Sequence, residues 1–289
     1  MLKILIPITI FTIMLGLGMG LRSKPTERLL RTRPWLCLRG LAGTCLLVPL
    51  AALLVLNLPA AQAVPRPVQF GITLMALCPS APLTLRKAGL KGGEREMAAV
   101  LQVGGAVAAV VSIPLMAALF RTMFQVQGWQ ILPRQVALNV GVLQLLPLLL
   151  GFLVRRRTPR LAARLEGPVE KTAILLLLVL VAVILVITAY LLATFVREEL
   201  VAIGFMAVMV ALSLAIGYLL AGPRRSERIT LSLVTSMRNP GLALLFASLF
   251  APEEPSIKVT IVVYLLLTVL LTAPFLRWQK GIEAGAAAA

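Results

Sequence analysis

The chain is a succession of apolar runs separated by short breaks of charge, proline and glycine, near 2–20, 38–57, 66–90, 96–120, 135–154, 172–195, 199–221, 229–250 and 256–276. All have the length of about 17 to 25 residues that an α-helix needs to cross a bilayer. Hydrocarbon offers a backbone no water, so such runs must satisfy their own hydrogen bonds as helices. A large soluble core is the competing explanation, but core helices are usually shorter and amphipathic. Composition decides against it: 60% of residues are hydrophobic and 13% are charged, with a mean hydropathy of +0.97, where a soluble domain carries roughly 25% charge. The fold class expected is therefore all-α integral membrane, with about nine transmembrane helices. The first run, with Lys3 ahead of it, imitates a signal peptide, but no small-residue cleavage site follows and the downstream flank is basic. It reads as the first span.

A formal charge of +17 in a soluble protein would suggest nucleic acid, whose binders set a basic stripe beside aromatic groups on a hydrated fold. Here the positive charge sits between apolar runs. Twenty-one of the 28 Lys and Arg residues fall in alternate connections on one side, six fall on the other, and Arg238 belongs to neither. Short cytoplasmic loops retain positive charge, so the N-terminus is expected outside and the C-terminus in the cytoplasm, in a plasma or bacterial inner membrane. Anionic lipid headgroups at the cytoplasmic face are the expected macroscopic partner, and nucleic acid is not. Cys37, Cys45 and Cys78 are too few and scattered for a disulfide framework.

Two spans are interrupted. The third carries Cys78-Pro79-Ser80-Ala81-Pro82 and the eighth carries Ser236-Met237-Arg238-Asn239-Pro240-Gly241. Proline removes a backbone donor and clashes with the preceding turn, and unwound backbone at membrane depth survives only where protein or a water-filled cavity satisfies it. Each break, near 78–84 and 235–241, lies in the next-to-last span of its half, which is the pattern of a transporter built from inverted repeats. The plan is 4+5 spans, one helix short of symmetry at the N-terminus. Residues 1–154 hold the first repeat and the start of the second, with spans 1 to 5, and residues 155–289 hold spans 6 to 9. The helix-breaking residues are Pro79, Pro82, Pro240 and Gly241.

Chemistry has few carriers here. The chain has no His and no Asp, and its eleven acids are all Glu, each mapping to a loop, a tail or a span end and read as solvated. Zinc sites want clustered His, Cys or carboxylate ligands, and Ser catalysis wants a positioned base. Gly92-Gly93 and Gly104-Gly105 lack the Lys and Ser/Thr of a phosphate loop; they read as a turn and a close helix contact. No enzyme, metal or cofactor is expected, and an intramembrane lipid enzyme is disfavoured on the same grounds. Arg238 is the charged side chain placed well inside the bilayer, at a cost of about 2.5 to 3.5 kcal/mol unless partnered. It has two readings, contact with an anionic substrate or a cation bonded to unwound carbonyls. Thr84, Gln102, Thr235, Ser236 and Asn239 can donate and accept hydrogen bonds beside it without a standing charge.

These residues resemble the bile acid:sodium symporter family, within the wider superfamily that holds arsenite and auxin efflux carriers. Met19-Gly20-Leu21 is similar to the family's M-G-L before its basic loop, and Pro49-Leu50 to the proline of the next helix. Cys78-Pro79 resembles the C-P-G-G-T-x-S-N crossover motif, and Met237-Arg238-Asn239 resembles E-x-G-M-Q-N. The resemblance implies two discontinuous helices crossing in a core domain (spans 2, 3, 4, 7, 8 and 9) beside a panel domain (spans 1, 5 and 6). It also implies transport of an organic anion with two sodium ions. The sodium positions depart from the pattern: the motif Ser-Asn falls on Thr84-Leu85, the Glu on Val234, the Gln on Arg238, and a glutamine from the preceding helix on Thr44. A neutral Val cannot compensate a cation and a guanidinium would repel one. The expectation is a secondary transporter of a small organic anion working by alternating access without ordinary two-sodium symport, with Arg238 in the place of a sodium ion. The alternatives are an arsenite-like efflux carrier with Cys78 as soft ligand, or a membrane protein that binds solute without moving it.

Overall fold

A computed structural model describes residues 2–80, 83–124 and 133–288, and among these every regular element is a helix. α1 (Leu2–Gly20) ends at a corner, and α2 (Ser23–Thr32) leaves it at 82°. α3 (Pro34–Ala42) passes through a π-helical turn, Gly43–Leu47, into α4 (Val48–Leu56). The wider turn lies just before Pro49, whose missing N–H cannot close an α-helical bond. A second π-helical turn, Gly141–Leu145, joins α8 (Pro133–Val140) to α9 (Leu146–Arg157) ahead of Pro147.

The first interrupted span is α5 (Arg66–Leu77) and α6 (Leu83–Leu90), followed by the long α7 (Arg95–Phe124). Gly92 turns the chain between them at φ +83°, in the left-handed region that favours glycine. After α10 (Pro159–Ile187), α11 (Ala189–Glu198) and α12 (Leu200–Leu220) comes the second interrupted span, α13 (Arg225–Ser236) and α14 (Pro240–Phe250), and then α15 (Pro255–Ala288). Six stretches are long and apolar enough to cross a membrane, Pro34–Leu56, Arg95–Phe124, Arg134–Arg157, Pro159–Ile187, Leu200–Leu220 and Pro255–Ile282, or seven if the bent pair α1 and α2 is counted as one. The chain is an integral multi-pass membrane protein.

One expected boundary is wrong. A single span over 172–195 is replaced by α10, which starts at Pro159, and α11, with a break at Thr188. Apolarity rises only after Lys171, but Pro159 suits a first helical turn and the Arg, Leu, Ala and Glu residues beyond it are good helix formers, so the backbone coils well before the sequence turns apolar. At Thr188 the hydroxyl donates to Ile184 O at 2.6 Å and the backbone leaves helical geometry.

The helices pack as two sets that are joined by α8 against α7, α10 against α15 and α1 against α14. α1 lies against α9 and α10, which touch each other. Gly18 and Gly151 bring α1 and α9 into backbone contact: a Cβ on Gly18 would sit 2.9 Å from Phe152 N, and one on Gly151 2.8 Å from Met19 N. The second group joins α12 to α13 and α15, α5 to α4, α14 and α15, and α7 to α3 and α6. α1 meets α14 across the two groups, with Ile10 against Gly241. Large apolar side chains such as Leu54, Val111, Val186 and Leu219 stand outward, the surface expected where the solvent is lipid.

Candidate functional site

The two breaks meet. α5 stops at Leu77 and α13 at Ser236; Cys78 and Asn239 are extended, and Ser80 pairs with Arg238 in an isolated antiparallel bridge. The second break is closed by Asn239, whose Oδ1 accepts from Leu242 N at 3.1 Å as the N-cap of α14, with Pro240 in the first turn, where no backbone donor is needed. The first break is held from the side: Gln102 of α7 donates Nε2 to Ser80 O at 2.6 Å, and Ser80 Oγ donates to Thr84 Oγ1 at 3.1 Å. Pro79 packs at Gly105, where a Cβ would lie 3.5 Å from the proline ring. Pro82 lies outside the described residues.

Arg238 is 1% exposed. Its Nε donates to Met75 O at 3.1 Å, one terminal nitrogen donates to Thr44 O at 3.0 Å and Thr44 Oγ1 at 2.8 Å, and the other donates to Ala76 O. The acceptors at Met75 and Ala76 belong to the last turn of α5, where the break leaves carbonyls without helical donors. Thr44 sits in the π-helical turn of the preceding span. Arg238 therefore points into unwound and loosened backbone, satisfying carbonyls that the breaks would strand.

The other expected residues divide. Thr44 joins the guanidinium, and Thr235 lends it a longer backbone contact at 3.4 Å while turning its hydroxyl to Ser213 O and Leu231 O. Ser236 Oγ and Gln102 Oε1 are buried without a hydrogen-bond partner among the described residues. Val234, at the position where the resemblance places a glutamate, is fully buried. Cys78 is fully buried, and no group of three His, Cys, Asp or Glu that could hold a metal occurs among the described residues.

A cleft of about 670 Å³ lies elsewhere, between α1 and α10 on one wall and the α6–α7 turn on the other. Ile13, Leu17, Leu90, Ala173 and Ile174 give it an apolar lining, and Glu94, Arg95, Glu96, Glu166 and Glu170 gather at it. None of the expected crossover residues lines it. The reading of every glutamate as solvated is corrected here. Glu166, inside α10, takes Arg95 at 3.0 Å and Arg155 at 2.5 Å. Glu94 and Glu227 share Arg33, each at 3.0 Å, and Glu227 is 4% exposed. Glu94 also accepts from Ser226 Oγ at 3.0 Å, and its backbone N–H donates to Thr230 Oγ1 at 2.7 Å. Arg33 thus ties the α2–α3 junction to the starts of α7 and α13. No single run of sequence marks the cleft, whose glycines Gly16, Gly20, Gly89 and Gly93 come from two distant stretches of chain.

Compared with known proteins, the chain matches the model of the Sodium Bile acid symporter family over residues 7–195. The matched stretch runs from α1 into α11 and takes in the first break. No curated protein matches the chain.

Proposed function

Because the chain belongs to the sodium bile acid symporter family, a family of transporters, we propose that it is a secondary carrier of a small organic anion in which Arg238 replaces the coupling cation. The observation that carries this reading is the guanidinium of Arg238, buried and bonded to Thr44, Met75 and Ala76 where the helices cross. Oxygen ligands at a broken helix end are what a sodium site is made of. A charge fixed to the chain satisfies the same carbonyls, leaves no room for a second cation and cannot dissociate. Transport is then facilitated diffusion or anion exchange, with no ion cofactor.

The spans on this reading number nine: the six long ones, α1, and the interrupted pairs α5–α6 and α13–α14. They form inverted repeats of four and five. α1, α8–α9 and α10–α11 make the panel and the rest make the core; the packing of α1 on α9 and α10 supports the panel, which touches the core through α8 on α7 and α11 on α12. The loop charges put the N-terminus outside and the C-terminus in the cytoplasm. The cleft, bounded by Gly20, Glu94 and Glu166, then opens to the cytoplasm, while Ile10 against Gly241 seals the opposite side, so the conformation is inward-facing. Its size falls in the range of about 300 to 1,000 Å³ typical of ligand pockets, and its apolar walls with charged groups beside them suit an amphipathic solute. Rocking of core against panel would expose the cleft to each side in turn.

Purified protein in liposomes tests the reading through uptake of a labelled bile acid and of smaller organic anions, with an inward sodium gradient and with choline in its place. Equal uptake in the two is the expected result; strong sodium stimulation would sink the role given to Arg238. Counterflow of labelled solute separates a carrier from a protein that only binds.

A further inference from the structure

α2 does not continue α1 but lies across its end, with Leu21 buried at the corner and Arg22 exposed. One edge of this helix is committed to the protein. Leu29 is buried, and Arg33, four residues on, is drawn to Glu94 and Glu227, so this edge faces α7, against which α2 packs. Lys24, Arg28 and Arg31 are all exposed. Their spacing of four and then three residues puts them on one helical face. Glu27, the acid of this helix, pairs with Arg31 at 2.8 Å. With Arg22, the stretch from 22 to 32 has four basic residues and one acid, a net charge of +3. Beside it stand three exposed apolar side chains, Leu30 at 48%, Trp35 at 72% and Leu38 at 55%.

We propose that α2 and Trp35 form a docking surface for the anionic phospholipid headgroups of the membrane in which the protein sits. A helix turned across the bilayer normal, basic along one face and flanked by exposed Leu and Trp, has the character of an interfacial helix. The arrangement favours a lipid over a soluble anion. Lys24, Arg28 and Arg31 are strung along about 10 Å of helix rather than converging on one point, and the neighbouring Leu30 and Trp35 offer acyl chains a place that a free phosphate would not use. Arg33 connects this surface to the starts of α7 and α13, so bound lipid would brace the start of α7, which frames the cleft. The surface rests on the proposed cytoplasmic position of α2 for its leaflet, but not for its chemistry.

The test uses the full chain with Trp129→Phe and Trp278→Phe, leaving Trp35 as the fluorophore, reconstituted in symmetric vesicles of phosphatidylcholine and phosphatidylglycerol. One lipid or the other carries brominated chains that quench tryptophan. Trp35 is expected to be quenched more by brominated phosphatidylglycerol than by brominated phosphatidylcholine at equal mole fraction. Lys24→Gln, Arg28→Gln and Arg31→Gln together should lower that preference by about fivefold per charge removed, and Glu27→Gln should raise it. Neutralising Arg156, Arg157 and Arg160 should leave it unchanged. Equal quenching by the two lipids, a preference that survives the triple change, or one lost equally when the 156–160 arginines are neutralised would each overturn the surface. Symmetric vesicles make the result independent of orientation. Orientation is read separately, from labelling of Thr32→Cys by a membrane-impermeant maleimide in inside-out vesicles.

Discussion

Replacing Arg238 by Leu puts an apolar side chain at the crossing and removes the guanidinium donors. Four close acceptors lose their partner, Thr44 O, Thr44 Oγ1, Met75 O and Ala76 O, besides the longer contact to Thr235 O. The Thr44 hydroxyl already lies 3.5 Å from Val234 O and can turn fully to it, which leaves three carbonyls stranded. At about 1 to 3 kcal/mol for each buried group left unsatisfied, the loss is at least about 3 kcal/mol. Lys in the same place keeps the charge but has one nitrogen, which can approach Thr44 or the end of α5 but lacks the fork that reaches both. It should cost about 1 to 3 kcal/mol, from one stranded side. Titration of the purified protein with sodium dodecyl sulfate in mixed micelles, read as loss of helix signal, gives the order wild type, then Lys, then Leu. If the Leu variant unfolds within about 0.5 kcal/mol of wild type, the range of an ordinary surface change, then Arg238 does not hold the crossing together and its bonding cannot explain its burial.

Other outcomes follow from the same contacts. Val234→Glu combined with Arg238→Gln restores the charge that the family resemblance places at the crossing, and is expected to make the protein more stable in sodium chloride than in choline chloride; identical unfolding in the two salts refutes the comparison with a sodium site. Gly18→Ala and Gly151→Ala each press a methyl into the backbone of the partner helix and should cost about 1 to 3 kcal/mol as overpacking, whereas Gly167→Ala, with nothing within 4 Å of its Cβ, should be neutral or stabilising in the same titration. Arg33→Gln leaves Glu94 and Glu227 without their shared partner and should destabilise by about 2 kcal/mol, below the usual figure of about 3 to 5 for a fully buried pair because Arg33 and Glu94 retain some solvent. Glu166→Gln frees Arg95 from its bond across the cleft, and the rate at which a thiol reagent reaches a cysteine placed at Ile174 should change; an unaltered rate would show that the ion pair does not set the opening.

The parts legible in the sequence are those that a one-dimensional pattern can carry. Apolar length marked the six long helices, and proline inside an apolar run marked where α5 and α13 stop, ahead of Pro79 and Pro240. It also singled out Arg238, since a charge in such a run has to be accounted for. Where the helices begin was less legible: the charged residues from Arg160 to Lys171 and Pro168 suggested a loop, yet they coil as part of α10. Arg238 could be placed but not aimed, because its partners Thr44 and Met75 lie more than 160 residues away. The same limit hid the pairing of Arg33 with Glu227 and of Arg95 with Glu166. The cleft was invisible for a related reason, being assembled from α1, the α6–α7 turn and α10, none of which is concave alone.

What Arg238 does to energetics follows from its covalent attachment. A ligand shifts a conformational equilibrium only through its different affinity for the two states, and a sodium ion drives a carrier because it binds on one side and leaves on the other. A guanidinium on the chain supplies the same local charge in both states and never leaves, so on the proposed reading it can hold the crossing rigid but can transmit no free energy from an ion gradient. Its charge is also present when the carrier is empty. An empty sodium-coupled site would repel its own bare carbonyl dipoles and depend on the ion to order the crossing, whereas here Thr44, Met75 and Ala76 are bonded before any solute arrives. On the proposed reading the empty carrier is then able to return across the membrane without cargo, which is the condition for facilitated diffusion and the feature that would separate it from anion exchange.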